Sequence, residues 1–348
     1  MQKNRSITID MLKTFAIILM IVGHCVVYGC GVDNPMGKRH IIHHYIYSFH
    51  MPLFALVSGY LFYFSVKKRT MKEMFKTRVE GIIIPLIAWQ FFMNVYRILF
   101  YAIRDGEWDF LRLIRGYSYL YGNMWFLWAM LFCSLMVMLL HYCFKDNIFA
   151  YLIVLLLTFL PYKQEIIRWM WLFPYFSCAF FFAKYKDTAF VKRVYNKVNS
   201  NWGFILLFIA HVLLVYFWKM DYYIYTYGYE RSFLVSPNIP YTIFCAFYRF
   251  TAGVIGTVFY AIIFKKLKKF LENRSFILKY TGLISKYTLG IYVFSVYFLN
   301  EFIKSMTFLH FNIYIVLVES IIITVLSILT FVYIEKNKWL NILLLGGR

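Results

Sequence analysis

Hydrophobic positions along this chain come in long runs separated by short polar connectors. A helix needs about 20 apolar residues to cross the hydrocarbon core of a bilayer. Ten such spans fit the pattern: 7–29, 43–64, 81–101, 121–143, 147–161, 168–183, 202–218, 241–263, 286–303 and 311–334. The fifth and sixth are short and separated by the turn from Pro161 to Arg168. The predicted fold class is therefore all-α: a polytopic membrane helical bundle of about ten transmembrane helices, forming one integral membrane domain over 1–348. No internal repeat or soluble domain is visible, and the tail WLNILLLGGR, too short to span, is expected on the cytoplasmic interface.

The first span breaks its own apolar pattern. ITIDMLKTFAIILMIVGHCVVY, from Ile7 to Tyr28, carries Asp10, Lys13 and His24. Lys13 and His24 are eleven positions apart, which at about 100° per residue returns to nearly the same face, roughly 16.5 Å further along the axis. Ionisable groups inside a membrane face protein or a water-filled cavity, so this stripe is the first candidate for a functional site.

Composition sharpens that picture. With 62% hydrophobic and 15% charged residues over 348 positions, a soluble domain is excluded. Lys and Arg number 37 against 16 acidic residues, a net charge of +21. The excess sits in short connectors, which excludes a nucleic-acid surface and points to topology and anionic lipid. Connectors on the side of the N-terminus, among them KKRTMKEMFKTR (67–78) and KKLKK (265–269), hold more than twice as many Lys and Arg as the others. Both termini are therefore expected in the cytoplasm. The polar stretches near 102–120 and 219–240 fall outside. They are rich in Tyr and Trp, which interfacial anchoring explains, with sugar binding as the functional alternative. Six cysteines, including Cys30, show no metal spacing, and no metal site is expected. The first span reads as retained rather than cleaved before Cys30.

Counting depth from the predicted span ends at about 1.5 Å per residue places His24, His50, Arg97, Arg249 and Glu319 in one layer of the outer half. Asp10, Lys13 and Arg78 form a second set on the cytoplasmic side. Asp10 pairs with Lys13 three residues on and is structural. It lies about 21 Å along the helix from His24, too far to orient that imidazole, so Glu319 is the expected carboxylate partner. Each residue also has a plainer explanation. On the plainer readings Arg249 and Glu319 neutralise one another, Arg97 snorkels to the outer interface, and Arg78 simply marks the positive side. His141 and His211 have no identified partner.

Five segments in order then resemble one family: DMLKTFAIILMIVGHCVVYG, FHMPLFALVSGYLF (49–62), RVEGIIIP (Arg78 to Pro85), MWFLWAMLF (124–132) and LGIYVFSVYF (289–298). Together they are similar to the acyltransferase-3 family of integral membrane enzymes, in the fucose 4-O-acetylase-like and polysaccharide O-acetyltransferase group. A basic residue followed after ten positions by His is a hallmark there, filled by Lys13 and His24, which makes His24 the implied catalytic residue. An Arg seven residues before a Pro is linked to the acyl donor, and Arg78 with Pro85 matches. The second Arg that many members carry is Gly81 here, and Ser295 stands where many have His.

The resemblance implies acyl-coenzyme A, usually acetyl-CoA, as co-substrate with no permanently bound cofactor. The acceptor is a hydroxyl on an extracytoplasmic or lipid-linked glycan, and the location a bacterial cytoplasmic (inner) membrane. Lys13 and Arg78 would hold the coenzyme A phosphates, with the thioester arm lying along the first span to His24. There His24 would act as general base, or alternatively carry the acyl group. His50, Arg97, Asn123 or Arg249 would stabilise the oxyanion or contact the acceptor. Trp125 and Ser58 read as packing residues. A membrane transporter or exporter is the rival class, disfavoured by the missing repeat and the ordered motifs.

Overall fold

A computed structural model describes residues 6–28, 40–118, 124–157, 170–223, 239–303 and 312–347. These residues are helical with no strand among them. In chain order the helices are α1 (Ile7–Tyr28), α2 (Ile41–Val66), α3 (Met71–Arg78), α4 (Ile84–Asp105), α5 (Trp125–Tyr142), α6 (Ile148–Leu157) and α7 (Phe173–Tyr185). They are followed by α8 (Ala189–Asn199), α9 (Asn201–Tyr216), α10 (Ile239–Glu272), α11 (Ser275–Lys286), α12 (Thr288–Phe298) and α13 (Ile313–Glu335).

Among the described residues, six continuous helices are long and apolar enough to cross a bilayer: α1, α2, Met71–Asp105, α5, α10 and α13. Helices also occupy the other four expected places, but α6 has 10 described residues, α7 has 13 and α12 has 11. α9 continues from α8 through a 75° bend. Ser200 makes that bend, because its hydroxyl accepts the Gly203 N–H at 3.1 Å and starts α9 afresh. Large side chains such as Leu206, Phe247, Ile321 and Leu329 lie exposed on outward faces, as a lipid-facing surface requires.

α1 is the hub. It touches α2, α10, α11, α12 and α13, and nine of its residues are buried, from Leu12 to Val27. α2 is the second axis, packed on α1, α7 and α10. Its closest approach is at Gly59, where a Cβ would fall 2.1 Å from the Phe176 carbonyl oxygen of α7. A small residue there is what lets two backbones meet in a membrane.

Three features depart from the sequence pattern. The third span begins at Met71, ten residues before 81, and α3 starts with a capping box in which Thr70 and Glu73 exchange hydrogen bonds. Between α3 and α4 the chain widens into a π-turn, Val79–Ile83, with Ile84 N–H reaching back to the Val79 carbonyl. Pro85 has no N–H for the Gly81 carbonyl, which accounts for the local widening.

Second, residues 275–285, expected as connector, belong to α11. Third, the tail folds back onto the bundle. Its π-turn Asn341–Leu345 buries Leu344 and Leu345, Trp89 Nε1 donates to the Leu344 carbonyl at 3.0 Å, and Gly346, at φ +70°, rests against Gly81. His141, expected without a partner, meets the Asp146 carboxylate at 3.0 Å, and Lys184 binds the same carboxylate at 2.7 Å, tying α5 to α7. His211 is buried among Phe49, Phe259 and Tyr260.

Candidate active site

The ionisable groups of α1 occupy its two ends. At the N-terminal end, Lys13 Nζ donates to the Ser285 carbonyl at 2.7 Å, Ser285 Oγ donates to Asp10 at 2.6 Å, and Thr14 Oγ1 donates to the Thr281 carbonyl at 2.9 Å. One turn of α1 is thus stitched to the last turn of α11. Ser285 is the group that engages both Asp10 and Lys13, through its hydroxyl and its carbonyl. Sequence reasoning missed Ser285, whose segment SFILKYTGLISK carries an amphipathic helical pattern. Arg78 is held elsewhere, beside the π-turn, with its guanidinium 5.3 Å from the centre of the Phe62 ring on α2. Lys13 and Arg78 are therefore fixed by different elements.

At the far end, His24 is half-buried between buried Gly23 and Cys25, with its ring 6.1 Å from that of Tyr28. Gly23 lets α2 approach: a Cβ there would lie 2.9 Å from the Tyr47 ring. Tyr47 in turn is 4.8 Å from the ring of buried His50. Through Gly23 and Tyr47, the stretches of α1 and α2 that carry the two histidines lie against one another.

The role expected for His50 changes. Its Nδ1 is 2.8 Å from the Ile46 carbonyl oxygen, which only accepts, so Nδ1 carries the proton. A neutral His50 then offers a lone pair at Nε2, so it would accept a hydrogen bond rather than donate one to an oxyanion.

Other expectations are corrected. Arg97 does not snorkel to an interface. It pairs with Glu301 in the π-turn Leu299–Ile303, Nε at 3.0 Å and Nη2 on the same oxygen. Its charge is engaged there, not at the imidazoles. Arg249 and Glu319 do not neutralise one another. Arg249 is buried, donates from Nη1 to the Tyr222 carbonyl at 3.0 Å and lies 5.7 Å from the Trp171 ring centre. Glu319 is buried in α13 and neither oxygen has a hydrogen-bond partner among the described residues, so it does not orient His24. Asn123 lies outside the described residues. Ser295, buried in α12, donates to the Tyr292 carbonyl and borders Met20 of α1. Among the described residues no group of His, Cys, Asp or Glu is arranged to hold a metal.

A further buried polar chain ties α12 to α4. Tyr297 donates to Gln90 at 2.8 Å, Gln90 to Asn94 at 2.6 Å, and Asn94 to the Leu113 carbonyl at 2.9 Å. Gln90, Asn94 and Arg97 follow the i, i+4, i+7 spacing of one helix face, a pattern legible in the sequence.

Fold and site together define a polytopic helical membrane protein with a polar interior centred on its first helix. The chain belongs to the acyltransferase-3 family: residues 6–336 match its acyltransferase domain. It is similar to Nodulation protein NolL of Sinorhizobium fredii, 31% identical over 196 residues, 52% of this chain and 50% of that protein. It is also similar to Nodulation protein NolL of Mesorhizobium japonicum, 27% identical over 133 residues, 36% of this chain and 33% of that protein. The chain thus spans half the length or less of these curated relatives. No solved structure matches.

Proposed function

We propose that this membrane acyltransferase moves an acyl group, acetyl in the first instance, from cytoplasmic acyl-CoA to a hydroxyl of an extracytoplasmic or lipid-linked glycan. The observation that carries this is the placement of a Lys13-centred polar cluster and of His24, beside the His50 stretch of α2, at opposite ends of one enclosed helix. Their separation along α1, roughly 16.5 Å, is of the order of an extended pantetheine arm. The nucleotide end of acyl-CoA lies at the basic end near Lys13 and Arg78, and its thioester reaches His24. The basic end faces the cytoplasm of a bacterial inner membrane.

In the transfer step the acceptor oxygen attacks the thioester carbonyl carbon while His24 takes the hydroxyl proton. The carbon–sulfur bond then breaks, and the protonated His24 returns the proton to the departing thiolate. Atoms and charges balance to an ester and free coenzyme A. His50, with its proton fixed on Nδ1, accepts a hydrogen bond at Nε2 from a second hydroxyl of the acceptor, next to the one that attacks, and so orients the acceptor. The Nδ1 bond to Ile46 also supports a second assignment, in which His50 is the base and His24 the orienting group.

The test is release of free thiol from acetyl-CoA by purified protein, with and without acceptor-bearing membranes. His24→Ala is expected to lower acceptor-dependent release by at least about a hundredfold, within the range for loss of a general base. If folded His24→Ala keeps full turnover while His50→Ala loses it, the two histidines exchange roles. If the wild-type protein moves no acyl group at all, the function is wrong.

A further inference from the structure

Three helices meet at an elbow that the transfer step does not use. α8 runs into α9 through the 75° bend at Ser200, and the C-terminal end of α10 touches both. Phe264 of α10 meets Phe15 of α1 with ring centres 5.4 Å apart, so the elbow sits at the Lys13 end of the bundle. None of the 11 residues of α8 is buried.

The sequence of α8 accounts for that position. At about 100° per residue Phe190, Val191, Val194, Tyr195 and Val198 share one side of the helix, and Lys192, Arg193, Asn196 and Lys197 the other. Val191, Tyr195 and Val198 are half-buried, whereas Phe190 and Val194 form an open apolar edge. Trp202, at the start of α9, is 78% exposed. An apolar edge flanked by cations, with an exposed indole nearby, is the pattern of a helix lying in a membrane interface.

The ammonium groups of the elbow are ordered but not neutralised. Lys265 donates to the Tyr195 hydroxyl and lies 4.4 Å from the centre of that ring, and Lys266 lies 4.4 Å from the centre of the Phe204 ring of α9. Rings hold ammonium groups without cancelling their charge. Among the described residues neither lysine is paired with a carboxylate, although Lys268 pairs with Glu272 at 3.5 Å. Because an ammonium only donates, the Tyr195 oxygen accepts and its own proton is left for another acceptor. One turn beyond Phe204, Phe208 packs on the same Phe259 ring of α10 and stays exposed. An occupant therefore has to bring an anion for the lysines and hydrocarbon for Phe208.

We propose that this elbow binds an anionic phospholipid of the cytoplasmic leaflet. Its phosphate meets Lys265, Lys266 and the Tyr195 hydroxyl, and an acyl chain runs along Phe208. A soluble phosphate would satisfy the lysines but leave Phe190, Trp202 and Phe208 against water. Binding there does not depend on acyl transfer.

The experiment places full-length protein in phosphatidylcholine vesicles with a trace of phosphatidylglycerol or phosphatidylcholine that is photoactivatable in its acyl chain, and maps the labelled peptides. Phosphatidylglycerol is expected to label residues 201–216 at least about fivefold more than phosphatidylcholine, within what two lysines at a membrane surface supply. Lys265→Gln with Lys266→Gln should remove that preference, and Tyr195→Phe, which keeps the ring but loses the hydroxyl, should fall between. Lys268→Gln with Lys269→Gln should leave most of it. Excess unlabelled phosphatidylglycerol should compete, and excess inorganic phosphate should not. Should the Lys265 and Lys266 variant fail to fold, the wild-type preference and Tyr195→Phe decide. Equal labelling by the two lipids, a preference that survives loss of Lys265 and Lys266, an equal loss in the Lys268 and Lys269 variant, or displacement by inorganic phosphate overturns the site.

Discussion

Arg97 and Glu301 allow a test in which structure and chemistry predict different results. The side chains are 21% and 18% exposed, and one carboxylate oxygen of Glu301 receives two N–H groups of Arg97. Removing one partner of a buried pair costs about 3–5 kcal/mol, because the other charge is left uncompensated. With about a fifth of each side chain in contact with solvent, we expect about 2–4 kcal/mol for Arg97→Met. Replacing both, as Arg97→Met with Glu301→Leu, removes the orphaned charge and should return stability to within about 1 kcal/mol of wild type. The coupling from the four-protein cycle is then about 2 kcal/mol or more. Unfolding free energies in mixed micelles measure it, with coenzyme A release from the same preparations alongside. A coupling near zero would refute the pairing. A stable double variant that transfers no acyl group would show instead that Arg97 meets the reacting atoms, as the sequence had suggested.

Three further substitutions probe the scaffold. Ser285→Ala removes the hydroxyl donor to Asp10 but keeps the carbonyl used by Lys13, so α11 should lose about 1–2 kcal/mol of protection. Hydrogen exchange over 275–286 should then quicken by about tenfold or more, and unchanged exchange would contradict the stitch. Gly59→Ala places a methyl 2.1 Å from the Phe176 carbonyl oxygen and should cost about 1–3 kcal/mol or more, whereas Gly282→Ala meets nothing within 4 Å and should be neutral or slightly stabilising. Equal melting shifts for the two would refute the close approach of α2 and α7. Gly346→Val adds a Cβ 2.7 Å from the Gly81 Cα at a residue with φ +70°, so the tail should detach and residues 336–347 become protease-sensitive. A tail that stays resistant would mean the Gly81 contact does not hold it.

Much of this could be read from the chain alone, for identifiable reasons. Spans are legible because bilayer length and hydropathy act on each segment independently. The α1 stripe is legible because helical spacing puts Lys13 and His24 on one face. Pairings between distant segments are not. Arg97 with Glu301 and Asp10 with Ser285 depend on how helices pack, which no single-segment pattern encodes. The depth estimate grouped Arg97, Arg249 and Glu319 with the histidines because it measures height in the membrane and says nothing about direction around each helix axis. α11 was missed because its alternation of apolar and polar residues is weaker evidence than a continuous apolar run.

The stitch between α1 and α11 joins residues 272 and 275 positions apart. At the usual pace of translation, about 5–20 residues per second, roughly 15–55 s separate the synthesis of Lys13 from that of Ser285. For that interval α1 is already available to the insertion machinery while its polar end has no permanent mate. Asp10 and Lys13, three residues apart, can shelter one another meanwhile and exchange that temporary arrangement for Ser285 once α11 emerges. Assembly of this enzyme would then close like a ring, with a late segment returning to fasten an early one.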